Sequence, residues 1–335
     1  MAGRTTIARL LGSAVGEIRA ERGLHTLELP SSLLTREEPV SREVLAMALN
    51  AALFDDLLAR VPTAARHVEE VRESGELIVF DHGALRTIAG DTGNLPSGHG
   101  AFGRLLEPLG YTVADIYPLP ALKMTGRAYV HSDCPETIPQ FFVSELHIDQ
   151  LPEEAQEAAQ RVFGTSTDPV SPSDGDRLEK LERDGWLPFA DALALLKSLT
   201  AAFGRQHAAP GLADYNALLA HSKEAAWIAT EGNAFNHATT RVPDVEKLAA
   251  ELKERGYPMK EAVEVSSNGR VRQTAILADK VQRSFRMPDG TTTQRLVPGS
   301  FYEFISRDID PATGKLDLTF DSGNATGIFA VTRGT

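Results

Sequence analysis

Cysteine is nearly absent from this sequence of 335 residues, in which Cys134 is the only one. One cysteine can form neither an intramolecular disulfide nor a thiolate cluster around a metal. A disulfide-stabilised secreted domain and a cysteine-bound structural zinc module are therefore excluded. The rest of the composition, with 42% hydrophobic and 24% charged residues, is that of a globular protein with a sizeable core.

Positive charge is also scarce, because 34 Lys and Arg residues stand against 46 Asp and Glu residues, for a formal net charge of −12. Binding to nucleic acid or to an anionic membrane surface requires clustered basic residues. The sequence has no apolar run of about 18 residues, the length that spans a membrane, and its beginning lacks the apolar core of a signal peptide. We therefore expect a cytoplasmic protein without nucleic-acid or membrane partners.

Two strand-rich segments are separated by a helical one. Residues 76–148 predict a strand, a short helix and three further strands, and residues 236–307 repeat this order. In the second copy, the helix is predicted over residues 245–255, with Asp244 as its N-cap and Gly256 at its end. The sequence therefore predicts an α+β fold with duplicated βαβββ modules, N-terminal helices and a helical insertion.

The predicted domain boundaries follow these changes in periodicity. They give an N-terminal helical region (1–75), a first βαβββ module (76–150), a helical insertion (151–228), and a second module with C-terminal strands (229–335). Within the insertion, residues 164–176 are rich in Ser, Pro, Asp and Gly and are expected to lack regular structure. In the second module a strand is predicted at 274–285, and the last two strands at 316–320 and 327–332.

The first strand of each copy carries the same short motif. It reads His-x-x-x-Arg at His82 and Arg86 in the first copy, and at His237 and Arg241 in the second. Alternate residues of a strand share a face, so each histidine points to the same side as its arginine. A single strand histidine is more often a core residue than a ligand, but two at matching positions of a repeat favour a shared role.

A carboxylate in an apolar strand completes the candidate site. Glu303 lies between aromatic and aliphatic neighbours, where burial of its charge is costly unless a cation meets it. Two imidazoles and one carboxylate are the ligands of non-haem Fe(II) oxygenases, which keep other coordination positions open. The sequence therefore predicts a mononuclear metal site of His82, His237 and Glu303. The forked guanidinium groups of Arg86 and Arg241 are suited to bind a substrate carboxylate.

A fourth ligand is left open by the same repeat. Glu145 and His147 lie in the last strand of the first copy, 63 and 65 residues after His82, whereas Glu303 lies 66 residues after His237. Either side chain could therefore occupy the position that Glu303 has in the second copy.

Three segments resemble a known family: DHGALRT (81–87), FNHATTRV (235–242) and VPGSFYEFISRD (297–308). They are similar to the 2-oxoadipate dioxygenase/decarboxylase family, also called D-2-hydroxyglutarate synthases, of the vicinal-oxygen-chelate (glyoxalase-like) superfamily. The resemblance covers about residues 40–331. It implies paired βαβββ modules in a curved mixed sheet around the metal. It places the family's metal ligands on His82, His237 and Glu303, and its substrate-binding catalytic arginine on Arg86.

The resemblance also implies a reaction and its partners. It predicts an Fe(II)-dependent oxidative decarboxylation and intramolecular hydroxylation of a 2-oxo acid by O2, with 2-oxoadipate giving D-2-hydroxyglutarate and CO2 in lysine catabolism. Manganese, cobalt, nickel or zinc could occupy the same ligands in a crystal. A homo-oligomer is compatible with the sequence, which fixes neither the oligomeric state nor the chain length of the substrate.

Two other functions are compatible with the same residues. A redox-neutral isomerase or lyase of the glyoxalase-like superfamily would use the metal as a Lewis acid, and a fourth ligand at Glu145 or His147 would favour it. A metal-free protein that binds a small molecule could also have the duplicated fold. The complete set of His82, His237 and Glu303 counts against this last function, because a binding protein needs no ligand triad.

Overall fold

The duplicated order of strands and helices builds one curled mixed sheet. The structure is a computed structural model that describes residues 5–320 of the chain, so the strand predicted at 327–332 lies outside the described residues. The helices of the described part are α1 (Thr6–Val15), α2 (Glu17–Thr26), α3 (Arg42–Arg60), α4 (Pro62–Ser74), α5 (Gly100–Leu106), α6 (Glu153–Phe163), α7 (Pro172–Asp184), α8 (Phe189–Ala202), α9 (Leu212–His221), α10 (Lys223–Glu231) and α11 (Val245–Glu254).

The strands of the described part belong to one large sheet and three small ones. They are β1 (Val40–Ser41), β2 (Val79–Ala89), β3 (Tyr111–Leu119), β4 (Met124–His131), β5 (Gln140–His147), β6 (Trp186–Leu187), β7 (Phe235–Arg241), β8 (Glu264–Val265), β9 (Val271–Ile276), β10 (Lys280–Arg286), β11 (Thr292–Pro298), β12 (Phe301–Arg307), β13 (Ile309–Asp310) and β14 (Lys315–Leu316).

The eight-stranded sheet has the order β3-β4-β5-β2-β7-β12-β9-β8, in which each module contributes four neighbouring strands. The first strands of the two modules, β2 and β7, pair antiparallel at the centre. Each also pairs in parallel with the last strand of its own module, β2 with β5 and β7 with β12. The predicted α+β fold with two βαβββ modules is therefore confirmed.

The second module differs from the first by an inserted hairpin. The prediction of one strand over 274–285 is wrong, because β9 ends at Ile276 and β10 begins at Lys280. Between them, the carboxylate of Asp279 accepts hydrogen bonds from the backbone N–H and the hydroxyl of Thr63, which turns the chain away from the sheet. Strands β10 and β11 then pair only with each other before the chain returns as β12.

Helix signals explain both a correct prediction and a wrong one. Helix α11 begins and ends as predicted, with the Asp244 side chain accepting from the N–H of Lys247 and with Gly256 at φ 79°. The unstructured loop predicted at 164–176 is wrong for its last residues, because α7 begins at Pro172. Ser171 and Asp174 form a capping box there, so polar residues that are typical of loops serve as a helix start.

The helices cover both faces of the sheet. Helices α1, α3, α5 and α8 contribute to a large core against one face, which includes Leu85 of β2 and Phe304 of β12. Helices α6, α9 and α10 and the β10–β11 hairpin form a second core with Ile88 of β2. Because Ile88 and His82 share a face of β2, this second group covers part of the face that bears the predicted ligands. In the described part, no helix is long and apolar enough to cross a membrane.

Candidate metal centre

The three predicted metal ligands meet at the centre of the large sheet. His82, His237 and Glu303 lie on the adjacent strands β2, β7 and β12, and their ligand atoms lie within 4.8 Å of one another. Glu303 Oε2 is 3.6 Å from His237 Nε2 and 3.9 Å from His82 Nε2. All three side chains are buried, and among the described residues His237 Nε2 has no hydrogen-bond partner. The geometry of the centre is therefore that of three donors converging on one point.

Strand register explains this convergence. Thr239 stands opposite His82 across β2 and β7 and beside Glu303 across β7 and β12. Its hydroxyl donates to Glu303 Oε2 at 2.8 Å and lies 3.0 Å from His82 Nε2. At Gly83 an added Cβ would lie 2.1 Å from the Phe235 ring, so glycine lets this ring pack against the strand beside His82. Thr239 was not identified from the sequence, because its contacts depend on the pairing of three strands.

Burial sets the charges of the three donors. It raises the pKa of Glu303 to about 8, and it lowers the pKa of His82 and holds the pKa of His237 well below its ordinary value. The charges of His82 and Arg86 lower the pKa of His237 further. Neutral imidazoles have a free nitrogen lone pair for a metal. A divalent cation would also supply the positive partner that the buried carboxylate of Glu303 needs in order to ionise. The residues present therefore fit a mononuclear divalent metal.

Each histidine has a polar partner behind its ring. Asp81 Oδ1 lies 2.9 Å from Nδ1 of His82, and the side-chain amide of Asn236 lies 3.0 Å from Nδ1 of His237. Burial raises the pKa of Asp81, but Arg307, the hydrogen bond to His82 and Arg241 outweigh it and hold this pKa well below its usual range. Asp81 is therefore an ionised acceptor for the Nδ1–H of His82, which leaves Nε2 without a proton, as a metal ligand requires.

Arg86 lies beside the centre as the motif predicts. It is fully buried on the same face of β2 as His82, with its guanidinium carbon 5.0 Å from the centre of the Trp227 ring. Burial lowers its pKa to about 10 although the charge of Glu224 opposes this, so Arg86 remains protonated at neutral pH. A buried positive charge close to His237 is suited to an anionic substrate, and the role of Arg86 as a substrate ligand stays a prediction.

Arg241 has a different environment from Arg86, although the two occupy the same place in the motif. Its Nε donates to Asp81 Oδ2 at 2.9 Å, and its terminal nitrogens donate to the backbone carbonyl of Glu136. Through these contacts Arg241 fixes the position of the Asp81 carboxylate. Its role as a substrate ligand stays a prediction. Arg241 reaches a carboxylate because Asp81 precedes the histidine of the first module, where the second has Asn236.

Glu145 and His147 do not reach the metal centre. The backbone N–H of His99 and the guanidinium of Arg127 donate to the carboxylate of Glu145, at 2.9 Å and 2.6 Å. His147 Nε2 lies 2.8 Å from the hydroxyl of Thr125. Among the described residues, the group that could hold a metal at this centre consists of His82, His237 and Glu303.

The register identifies the true counterpart of Glu303 in the first module. Gln140 pairs with His82 as Phe301 pairs with His237, so Phe142 occupies the position of Glu303. Because residues three and five positions beyond Phe142 point to the other face of the strand, Glu145 and His147 cannot substitute for it. A phenyl ring therefore stands where a fourth ligand would be expected.

The segment Asp317–Phe320, named here the cover segment, packs over His82. The ring of Phe320 lies 4.8 Å from the His82 ring and 4.9 Å from the Phe142 ring. The backbone N–H of Phe320 donates to the hydroxyl of Tyr117 at 3.1 Å. The first-module side of the centre is therefore enclosed by aromatic side chains, and the predicted strand 316–320 appears only as Lys315–Leu316.

Comparison with known proteins identifies the family of the chain. The family model of 2-oxoadipate dioxygenase/decarboxylase matches residues 42–316 of the chain. A relative from Oryza sativa subsp. japonica, named 2-oxoadipate dioxygenase/decarboxylase, chloroplastic/amyloplastic, is 25% identical over 305 residues, with 82% of this chain and 75% of that protein covered.

Solved structures extend the comparison to the fold. A crystal structure from Ralstonia eutropha JMP134, described as a glyoxalase superfamily protein, is 49% identical with a TM-score of 0.90 and covers 94% of this chain and 98% of its own. The hydroxyglutarate synthase from Oryza sativa in complex with 2-oxoadipate is 23% identical with a TM-score of 0.68, and covers 92% and 95%. At that identity, the second likeness concerns the fold alone.

Proposed function

The chain belongs to the 2-oxoadipate dioxygenase/decarboxylase family, and on this premise we propose that it oxidatively decarboxylates 2-oxoadipate. The reaction consumes one 2-oxoadipate and one O2 and yields D-2-hydroxyglutarate and CO2, so both oxygen atoms enter the products and no external reductant is required. The observation that carries the proposal is a centre of two imidazoles and one carboxylate, with Phe142 at the position in the first module that is equivalent to Glu303. Such a centre leaves coordination positions open for substrate and O2.

We propose Fe(II) as the metal of this centre, with His82, His237 and Glu303 as its ligands. Iron in this environment supplies the redox chemistry by which O2 reacts with an organic acid. The convergence of the three ligand atoms within 4.8 Å of one another supports one divalent metal, and the choice of iron among such metals rests on the family premise. We place the reaction in lysine catabolism on the family premise alone.

Arg86 is the proposed ligand of a substrate carboxylate. Its guanidinium is protonated and buried on the ligand face, where Trp227 packs against it and excludes water. A carboxylate that enters this place forms a charge-assisted pair with the guanidinium, and such a pair is stronger when buried than in solvent. The substrate is thereby oriented by its acid group while its 2-oxo end is directed towards the three metal ligands.

The test is a measurement of gas exchange with the iron-loaded protein. We expect O2 uptake with 2-oxoadipate, matched one to one by CO2 release and by 2-hydroxyglutarate, with 2-oxoglutarate and the substrate-free protein as controls. The His82→Ala and His237→Ala variants are matched controls, because we expect them to retain the fold and lose the metal. Full activity in either variant would remove the ligand assignment.

The redox-neutral isomerase or lyase remains the second candidate. A redox-neutral enzyme would turn over under argon, whereas the oxidative reaction needs O2. Product formation from a 2-oxo acid without O2, in protein that retains its metal, would replace the dioxygenase proposal by this one. A metal-free binding protein would bind the acid with the same affinity after removal of the metal by a chelator.

A further inference from the structure

Arg307 contacts two parts of the molecule that are far apart in sequence. It lies at the end of β12, four residues after Glu303, and its side chain is fully buried. On one side, Nε lies 3.0 Å and 3.1 Å from the two carboxylate oxygens of Asp81, and Nη2 donates to Oδ1 at 2.9 Å. On the other side, Nη1 donates to the carbonyls of Asp317 and Thr319 at 2.8 Å and 2.9 Å.

The first of these contacts leads to a metal ligand. The same Oδ1 of Asp81 lies 2.9 Å from Nδ1 of His82. A carboxylate at Nδ1 fixes both the proton position and the rotation of an imidazole, and so directs Nε2 at the metal. Any change in the position of Asp81 is therefore transmitted to the His82 ring.

The second contact leads to the cover over the same ligand. The carbonyls that Arg307 holds belong to the cover segment, and its guanidinium lies 5.3 Å from the ring of Phe320. Phe320 in turn packs edge to face on His82. Asp81 thus holds His82 through its Nδ1 and Phe320 contacts its ring, and the guanidinium of Arg307 binds both Asp81 and the segment that carries Phe320.

We infer that Arg307 is a positioning residue that couples the orientation of His82 to the seating of the cover segment. The inference rests on the proposed role of His82 as a metal ligand. When the cover segment leaves, Arg307 loses two acceptors and its hold on Asp81 is altered. When a metal fixes His82, the network is ordered and the cover segment is held more firmly. The coupling is reciprocal, as linkage requires.

Arg241 provides an internal comparison. It pairs with the other oxygen of Asp81, Oδ2, at 2.9 Å, and its other contact is the carbonyl of Glu136. Among the described residues, Arg241 forms no hydrogen bond with the cover segment. The two arginines therefore share the carboxylate, and of the two it is Arg307 that joins it to the cover segment.

The experiment measures hydrogen exchange of the peptide spanning residues 317–320, with and without Co(II), by mass spectrometry. In the wild-type protein we expect Co(II) to slow this exchange at least about tenfold, a coupling of ordinary allosteric size. In Arg307→Lys, whose single ammonium cannot reach both partners, exchange becomes fast and insensitive to Co(II). In the same variant, the affinity for Co(II) falls about 10- to 100-fold, the usual effect of a group behind a metal ligand.

Arg241→Lys is the matched control, and circular dichroism verifies the fold of both variants. In Arg241→Lys we expect the affinity for Co(II) to fall, but Co(II) still slows exchange of the peptide spanning residues 317–320. The visible spectrum of bound Co(II) gives a further readout, because it changes when the geometry of a ligand such as His82 changes.

Each failure has its own signature. If wild-type protein binds Co(II) and exchange of the cover segment is unchanged, the coupling is refuted and the metal site stands. If Co(II) does not bind to the wild-type protein at all, the metal site and the coupling both fail. Because the wild-type measurement requires no variant, it tests the inference even if Arg307→Lys misfolds.

Discussion

The two βαβββ modules share an order of elements and a motif, yet they place different chemistry at equivalent positions. Two residues beyond the partner of the strand histidine in each parallel pair, the first module has the Phe142 ring and the second has the Glu303 carboxylate. Behind the histidines, the first module has charged Asp81 and the second has neutral Asn236. Duplication therefore supplies two equivalent frames, and divergence at single positions makes one complete centre from them.

The two arginines of the repeated motif diverge in the same way. Arg86 stays beside the centre with Trp227 against it, whereas Arg241 crosses to the carboxylate of the other module. An identical spacing of residues thus produces a proposed substrate ligand in one module and a structural ion pair in the other. The difference arises from what lies across the β2–β7 pair, which a motif does not describe.

The largest expected effect comes from erasing the carboxylate that distinguishes the second module. Glu303→Ala leaves two neutral imidazoles and no anionic ligand, so we expect O2 uptake to fall about a thousandfold or more. The metal content of the dialysed variant shows whether loss of the metal is the cause of the lower O2 uptake. Retention of one equivalent of metal with full turnover would show that Glu303 is not a ligand.

Making the first module resemble the second gives the next largest effect. Phe142→Glu places a second carboxylate at the equivalent position, where burial of its charge is costly unless a metal binds it. We expect tighter metal retention and a loss of O2 uptake of about a hundredfold, because a fourth protein ligand fills a position that O2 or substrate requires.

Phe142→Leu is the control for this exchange, because it removes the ring without adding a ligand. It should retain the metal affinity of the wild-type protein. Unchanged O2 uptake in Phe142→Glu would mean that the two register positions are not equivalent with respect to the metal.

Comparison of the two arginines gives a smaller effect. Arg86→Ala should raise the KM for 2-oxoadipate about 30-fold, the loss expected when a buried charge-assisted pair is removed. Arg241→Ala should change metal affinity more than KM, because its partner is Asp81. Steady-state kinetics beside metal titration separate the two effects. An equal rise of KM in both variants, with metal affinity intact, would give Arg241 the substrate role that the motif predicts.

The smallest effect concerns the helix-covered face of the second module, where His67 packs on Phe304 and Tyr302. Burial lowers the pKa of His67 to about 4 although Glu70 opposes this. The unfolded chain takes up this proton below about pH 6.5, so the stability that neutral His67 gives is complete above that pH and decreases as the pH falls towards 4. Between pH 7.5 and 5.5, His67 should cost about 1.4 kcal/mol of unfolding free energy.

Urea unfolding of wild-type protein and His67→Phe at the two pH values checks this. The variant should lose less stability than the wild-type protein on acidification, whatever its stability at pH 7.5. Parallel losses would show that His67 takes up its proton without unfolding.

Local signals were sufficient for most of the fold. The duplicated order, the capped helix α11 and the ligand strands were predicted because each depends on periodicity or on residues within one turn. The start of α7 at Pro172 and the β10–β11 hairpin were missed, since the polar residues of one are also typical of loops and the turn of the other depends on a contact between Asp279 and Thr63.

The three ligands of the candidate site could be predicted from the sequence, but the residues that surround them could not. His82, His237 and Glu303 followed from the repeat. Arg307 was not identified, because it meets Asp81 across 226 positions of sequence. Phe142 was missed for a related reason: counting residues favoured Glu145 or His147, and only the parallel register of β2 and β5 identifies the equivalent position.

The seam between the modules has a consequence for how such a site can arise and be lost. β2 brings one imidazole from the first module, and β7 and β12 bring an imidazole and a carboxylate from the second. A metal bound there links the two modules, because its ligands come from both of them. Neither half alone supplies the same three groups, so a change in either copy can remove the centre. A mutation that loosens the β2–β7 seam removes activity without touching any ligand.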